Sequence, residues 1–118
     1  MSYVDGFLLA VPRRKLAAYR KMAALAGKVW REHGALDFRE CVGEDLSPGM
    51  GLPFPKLMKL KRGEVPVFSF IVFKSRAHRD RVNKKVLGDP RLKDACDPND
   101  MPFDPKRMCY GGFQTIVE

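Results

Sequence analysis

The segment over residues 65–73 constrains this chain more than any other part of its sequence. It is rich in β-branched and aromatic residues, which fit a pleated and buried surface. Successive side chains of a strand point to opposite faces, and apart from Ser69 the residues on both faces are apolar. A sheet that contains such a strand needs a cover on each side. We expect helices to cover one face and a second copy of the protein to cover the other.

The apolar patterns along the chain predict two similar halves in the order β-α-β, β-α-β. The first helix is the clearest, because its apolar residues recur at helical spacing, basic residues lie opposite, and Gly34 follows as a stop signal. This order predicts an α+β, ferredoxin-like domain over residues 1–118, an antiparallel sheet with both helices on one face. The predicted elements are strands over residues 2–11, 35–43, 65–73 and 109–117, helices over 13–33 and 76–87, a loop over 44–55 and a further short strand over 56–61.

The net charge of +8 is concentrated in the two predicted helices. Residues 12–33 contain seven basic and one acidic side chain, and residues 74–93 contain eight basic and two acidic ones. Such stripes attract nucleic acid or other anions, although a solvated helix face is the commoner explanation.

Several classes of protein are disfavoured by what the sequence lacks. No apolar run approaches the roughly 20 residues of a membrane span, and the first residues do not resemble a signal peptide. Three widely spaced cysteines without a Cys-x-x-Cys pair fit a reducing compartment, so we expect a cytoplasmic protein that does not contact a membrane. Nucleotide-binding glycine loops and hydrolase motifs are absent, and we expect no cofactor.

Short motifs lie throughout the chain, at residues 3–7 (Tyr-Val-Asp-Gly-Phe), 29–36 (Val-Trp-Arg-Glu-His-Gly-Ala-Leu), 89–91, 101–104, 106–108 and 110–113. Together they resemble a bacterial family catalogued as domain of unknown function 1428. The resemblance implies the dimeric α/β-barrel superfamily, in which two ferredoxin-like subunits pack sheet against sheet. One departure is His78, where the family pattern has glutamate, so a Ser75-x-x-Glu capping box would be lost.

Two candidate site residues lie on the apolar arc of the first helix. His33 has an unperturbed pKa near neutrality and is a candidate acid–base catalyst; a helix cap or a hydrogen-bonded core residue is the alternative. Trp30 is a candidate stacking wall for an aromatic ligand, and core filling is the alternative.

Two carboxylates, Asp5 and Glu40, lie within predicted strands. If they were buried together, each would raise the pKa of the other, and the pair could transfer protons. Pairing of these carboxylates with Arg39 or Arg107, or exposure at a sheet edge, is the alternative.

The segment before the last strand supplies three further ligand-binding candidates, Asp104, Arg107 and Tyr110. A planar guanidinium such as that of Arg107 can hold a carboxylate or phosphate in two parallel hydrogen bonds. The alternative is a structural segment in which Asp104 caps a turn. Two histidines 45 residues apart, without ligand pairs at metal-binding spacing, predict no metal site.

Three functions stay open from the sequence. The first is a homodimeric small-molecule-binding protein or cofactor-independent enzyme with a cleft between sheet and helices; superfamily relatives include monooxygenases that oxidise aromatic substrates without metal or flavin. The second is non-specific binding of RNA or other nucleic acid through the basic helices. The third is a structural or regulatory dimer without a ligand.

Overall fold

The structure is a computed structural model that describes residues 1–47 and 49–118. The chain is α+β, as the sequence predicts. Its strands are β1 (Tyr3–Pro12), β2 (Asp37–Val42), β3 (Glu64–Phe73) and β4 (Cys109–Gln114), and its helices are α1 (Leu16–Glu32), α2 (Phe54–Met58), α3 (Arg76–Leu87) and α4 (Pro90–Ala95), with 3-10 turns at Arg13–Lys15 and Pro105–Arg107.

The four strands form one antiparallel sheet in the order β2-β3-β1-β4. Because strand side chains alternate between faces, the register decides which residues share a row. Glu40 lies across from Ser69, Ser69 from Phe7, and Phe7 from Tyr110. These four residues therefore form a row across the face that the helices cover.

Helices α1 and α3 pack on the same face of the sheet. Tyr19 and Ala23 of α1 join a core cluster with Leu9 and Val11 of β1 and Val65 and Val67 of β3. Val29 joins the buried Val82 and Val86 of α3. The predicted stop at Gly34 is confirmed, since Gly34 adopts a φ of 118° directly after the C-cap residue His33.

One predicted element is wrong: residues 56–61 do not form a strand. Pro53 is the N-cap of α2 and Pro55 lies in its first turn, where a fixed φ and a missing N–H suit a helix start. Lys59 then ends the helix in the left-handed conformation, with a φ of 51°. Proline placement therefore determines the local structure here.

The start of α3 is capped in spite of the histidine at position 78. The Oγ atom of Ser75 accepts a hydrogen bond from the backbone N–H of His78 at 3.1 Å. The Nδ1 atom of His78 accepts one from the backbone N–H of Lys74 at 2.9 Å. The imidazole thus performs a role close to that of the glutamate in a capping box.

The opposite face of the sheet is apolar and open in the isolated chain; we call it the open face. Phe68 is 47% exposed and Phe113 is 62% exposed. Two exposed cysteines lie at the ends of one row, because Cys41 is across from Phe68, Phe68 from Leu8, and Leu8 from Cys109. The apolar residues of the open face are Val4, Leu8, Phe68, Phe70, Val72 and Phe113.

None of the helices in the described ranges is both long and apolar enough to cross a membrane.

Candidate functional site

A cavity and a cleft lie between α1 and the sheet. The inner cavity has a volume of about 130 Å³, and its walls are mainly aromatic and aliphatic. The outer cleft is larger, about 820 Å³, and opens to solvent beside α1 and β2. The inner cavity is lined by residues that include Phe7, Trp30, Phe38, Ser69, Ile71 and Phe103.

Four residues line both spaces and so form the wall between them: Tyr19, Ala23, Phe38 and Glu40. Two of them come from α1 and two from the edge strand β2. A molecule that passed from the outer cleft to the inner cavity would contact this wall.

The polar groups of the wall bind each other. The Tyr19 hydroxyl donates a hydrogen bond to Oε1 of Glu40 at 2.6 Å. Although Glu40 reaches solvent through the outer cleft, the protein atoms around its carboxyl group desolvate it and raise its pKa, against the opposing effects of Tyr19 and Ser69. Burial, and then the Glu40 carboxylate, raise the pKa of Tyr19 far above its usual range, so this phenol stays a neutral donor.

A glycine fixes the position of the aromatic ring in the wall. A Cβ atom added to Gly27 of α1 would lie 2.8 Å from Cδ1 of Phe38, closer than van der Waals contact allows. The missing side chain lets Phe38 pack against the helix. Its ring centroid is also 6.0 Å from that of Trp30, so the two rings form a continuous aromatic surface.

The outer cleft has a basic rim formed by Arg20, Lys28 and Arg31. Arg31 donates hydrogen bonds to Asp37 and to the carbonyl oxygen of Phe38. Arg20 and Lys28 form no ion pair within the described residues. The rim therefore offers positive charge to an anionic group in the cleft.

Asp5 lies in a separate buried network under α3. Its side chain is 1% exposed and binds Nη1 of Arg79 at 3.2 Å, with Asn83 and Tyr110 as further donors. Burial raises the pKa of Asp5 in spite of these favourable contacts. Asp5 and Glu40 share no hydrogen-bond partner in the part of the chain described, so the structure does not place them as a pair.

Trp30 links this network to the inner cavity. Its indole N–H donates to Oδ1 of Asn83 at 3.0 Å, and the same amide donates to Asp5. The ring is thereby held in the cavity wall. Tyr110 takes part from the other side, because it stacks on Phe7 with 4.8 Å between ring centroids.

His33 lies away from the cavity, at the C-terminal end of α1. Its Nε2 atom is 2.9 Å from Oδ2 of Asp89, the residue that caps α4. Arg91 binds both Asp89 and Glu32, and the contacts with Arg91 and His33 hold the pKa of Asp89 far below its usual range. The arrangement joins the end of α1 to the start of α4.

Arg107 and Asp104 are also engaged by the protein itself. Arg107 donates two hydrogen bonds to the Glu64 carboxylate, at 2.6 and 2.9 Å, and they lower the pKa of that carboxyl. The exposed Asp104 accepts a hydrogen bond from the backbone N–H of Lys106 and caps a 3-10 turn. Within the described ranges, no group of three or more acidic, histidine or cysteine side chains is arranged to hold a metal ion.

Two important polar residues are not among the sequence candidates. Tyr19 lies on the apolar arc of α1, so the sequence suggests a core residue. A buried phenol hydroxyl needs a hydrogen-bond partner, and this requirement is the signal that could have identified Tyr19. Arg79 belongs to a run of basic residues on α3, and nothing in the sequence separates it from its exposed neighbours.

Comparison with known proteins identifies the family. Residues 2–105 match the model of a protein family of unknown function, DUF1428. The chain belongs to this family. It is 45% identical to the uncharacterized protein YbaA of Escherichia coli K12 over 118 residues, which are 100% of this chain and 99% of that protein, and equally similar to YbaA of Shigella flexneri. The resemblance to the family seen in the sequence is thereby confirmed.

Similarity to solved structures is weaker. The de novo designed protein Foldit4 matches over 100% of both chains, with 13% identity and a TM-score of 0.47. The crystal structure of AtUAH in complex with glyoxylate matches 80% of this chain and 23% of that one, with 16% identity and a TM-score of 0.32. Neither match carries a conclusion about fold or function.

Proposed function

We propose that this protein is a homodimer that binds a small, mainly apolar molecule in the inner cavity. The observation that carries the proposal is the cavity itself, which is lined by aromatic rings and borders the Tyr19–Glu40 hydrogen bond. Ligand sites are typically concave and apolar with a few polar groups that fix orientation. The inner cavity and outer cleft together have this composition.

The volume and charge of the site favour an aromatic ligand with an acidic substituent. An apolar cavity of about 150 Å³ accommodates a benzene molecule, so the inner cavity has room for one ring. Arg20 and Lys28 at the rim of the outer cleft would face a carboxylate attached to that ring.

The ferredoxin-like topology and the dimer belong to the same proposal. The strand order β2-β3-β1-β4 with antiparallel neighbours supports that topology. The open face supports the dimer, because its rows from Val4 to Leu8 on β1 and from Phe68 to Val72 on β3 carry no charged residue. The charged Asp37 and Arg39 lie on the edge strand β2 and pair with each other, whereas basic side chains cover the helical side. Two copies that meet through their open faces keep these like charges apart and cover the exposed Phe68 and Phe113.

The fluorescence of the single tryptophan tests ligand binding, since Trp30 lines the inner cavity. Benzoate is expected to change the emission of the native protein with a saturating titration. Ala26→Leu places a larger side chain in the inner cavity and should abolish the change. Ala18→Leu, at an exposed site on the same helix, should leave it intact. If calorimetry and fluorescence both show no binding of benzoate or phenylpyruvate to the native protein, the proposed function is wrong.

Sedimentation tests the dimer with a matched pair of variants. Phe68 and Phe54 are both 47% exposed, but Phe68 lies on the open face and Phe54 begins α2. Phe68→Glu should yield monomers, because it places a charge in the interface, and Phe54→Glu should sediment like the unmodified dimer. A native protein that sediments as a monomer would contradict this part of the proposal.

A second candidate function rests on the basic helices. Arg20, Lys21, Arg81, Lys84 and Lys85 are all exposed, as a surface that attracts nucleic acid would require. Such binding should weaken steeply as salt concentration rises. Affinity for single-stranded RNA that hardly changes with salt would count against this candidate.

A further inference from the structure

We propose that Glu40 is a catalytic base that removes a proton from the carbon beside the carbonyl group of a small aromatic 2-oxo acid. The protein would then interconvert the keto and enol forms of such an acid. The inference rests on the proposed binding function and adds a reaction and a substrate class to the same site.

The contacts of Glu40 distinguish it from the carboxylates that bind arginine. Asp5, Asp37, Glu64 and Asp89 each bind an arginine side chain. Glu40 forms no ion pair within the described residues and instead accepts a hydrogen bond from the neutral Tyr19. A desolvated carboxylate without a cationic partner is a stronger base than a paired one.

The surroundings of Glu40 give that base access to a substrate. It borders both the outer cleft and the inner cavity, and its neighbours along the sheet row, Ser69 and Phe7, are uncharged. A ligand ring in the inner cavity would place the carbons attached to it near the wall where the carboxyl group lies.

Tyr19 supplies the donor that the reaction needs. While Glu40 is ionised, the phenol donates to its Oε1 atom. Once Glu40 has taken a proton, its oxygen is a poorer acceptor, and the same O–H can turn to the oxygen that has become negative. Removal of one donor to such an oxyanion typically slows a reaction by about 100-fold or more.

The step balances without an oxidant or reductant. A C–H bond next to the carbonyl breaks, its proton moves to a Glu40 oxygen, and its electron pair forms the enolate double bond while the carbonyl π pair moves to oxygen. Return of the proton to that oxygen gives the enol, and its return to carbon restores the keto form. The substrate carboxylate lies toward Arg20 and Lys28.

Phenylpyruvate is the probe, because it combines one ring, a carboxylate and acidic C–H bonds beside the carbonyl. Proton NMR in deuterium oxide follows loss of the CH₂ signal as deuterium enters, after subtraction of the buffer rate. The native protein should accelerate exchange, and Glu40→Gln should reduce the protein-dependent rate by at least about 100-fold. Tyr19→Phe, which removes the oxyanion donor, should also reduce it by about 100-fold or more. Glu44→Gln, at an exposed acid beyond β2, should leave it unchanged.

Binding of phenylpyruvate, measured by Trp30 fluorescence, distinguishes a failure of the proposed reaction from a failure of the proposed binding function. If the native protein binds phenylpyruvate but does not accelerate exchange, Glu40 is not a catalytic base and the binding function stands. If exchange persists in Glu40→Gln, another group takes the proton and the assignment fails. If neither benzoate nor phenylpyruvate binds, the inference falls with the proposed function. Exchange that is lost in Glu40→Gln while binding is retained supports it.

Discussion

Nη1 of Arg79 on α3 lies 3.2 Å from Oδ1 of Asp5 on β1, so an ion pair fixes the second helix to a central strand of the sheet. The Asp5 side chain is 1% exposed and that of Arg79 is 14% exposed. The guanidinium also lies 5.0 Å from the centre of the Tyr3 ring. Loss of Arg79 would leave a buried carboxylate without a compensating charge.

Arg79→Ala is therefore expected to lower the free energy of unfolding by about 3 kcal/mol or more, which is typical when one partner of a buried ion pair is removed. Urea unfolding followed by circular dichroism measures the change. Arg76→Ala, at an exposed arginine of the same helix, should change it by less than about 0.5 kcal/mol. The double variant Asp5→Leu, Arg79→Met removes both charges and should be more stable than Arg79→Ala. Equal effects at positions 76 and 79 would contradict the role of the ion pair.

The ionised Glu40 carboxyl is expected to lower the stability of the fold, whereas the Asp5–Arg79 ion pair raises it. Its folded-state pKa is raised, so the ionised form is disfavoured by folding, and stability is lost as pH rises from the ordinary glutamate pKa of 4.5 through the folded value. Glu40→Gln, which keeps an acceptor for Tyr19, should therefore unfold at a higher temperature than the native protein at neutral pH. The difference should disappear below pH 4.5, where the native carboxyl is also neutral. If Glu40→Gln is less stable than the native protein at neutral pH, the ionised carboxylate does not lower the free energy of unfolding.

Gly27 and Phe38 offer a test of the cavity wall. Gly27→Ala would normally stabilise a helix by about 0.5–1 kcal/mol, but the new methyl group would lie 2.8 Å from the Phe38 ring. We expect the free energy of unfolding to fall by about 1–3 kcal/mol because of this overlap.

A double-mutant cycle isolates the cause of that loss. In a Phe38→Ala background the added methyl group meets no ring, so Gly27→Ala should there be neutral or stabilising. Equal losses in both backgrounds would mean that Phe38 is not what requires a glycine at position 27.

The sequence predicts the elements of this fold better than its site. Periodicity places α1 and the long strands, because their apolar residues repeat at the spacing of a helix or a strand, and the Ser75 N-cap marks the start of α3. Periodicity does not predict the short helix α2, because two prolines rather than a periodic pattern determine it. Its five residues are too few for the spacing of apolar side chains to separate helix from strand.

The candidate site depends on contacts between side chains of different helices and strands, and a single sequence does not show which of these side chains are in contact. Glu40 and Trp30 were candidates and both line the inner cavity, but their partners Tyr19 and Asn83 lie on helices whose packing had first to be known. Arg107 and His33 have suitable chemistry for a site, yet Glu64 and Asp89 already engage them. The type of a residue shows what it can bind, and only the fold shows what it does bind.

His78 makes the start of α3 sensitive to pH. Its Nδ1 atom accepts the hydrogen bond of the Lys74 N–H only when the ring is neutral. Desolvation, followed by the charges of Lys74, Arg81 and Lys85, lowers the pKa of His78. Because a depressed pKa means that folding disfavours the protonated form, the stabilising contribution is present above the ordinary value of 6.5 and is lost as pH falls through the folded value.

The variant His78→Gln keeps an acceptor at all pH values and so isolates this effect from His33 and the acidic residues. As pH falls from 8 to 5, the free energy of unfolding should fall further for the native protein than for His78→Gln. The extra loss should be at most about 1 kcal/mol, which is typical of one exposed capping hydrogen bond. Urea unfolding at several pH values measures the difference. Ser75→Ala, which removes the other half of the cap, should cost about 1 kcal/mol whatever the pH. Parallel pH profiles for the native protein and His78→Gln would show that the imidazole does not cap the helix.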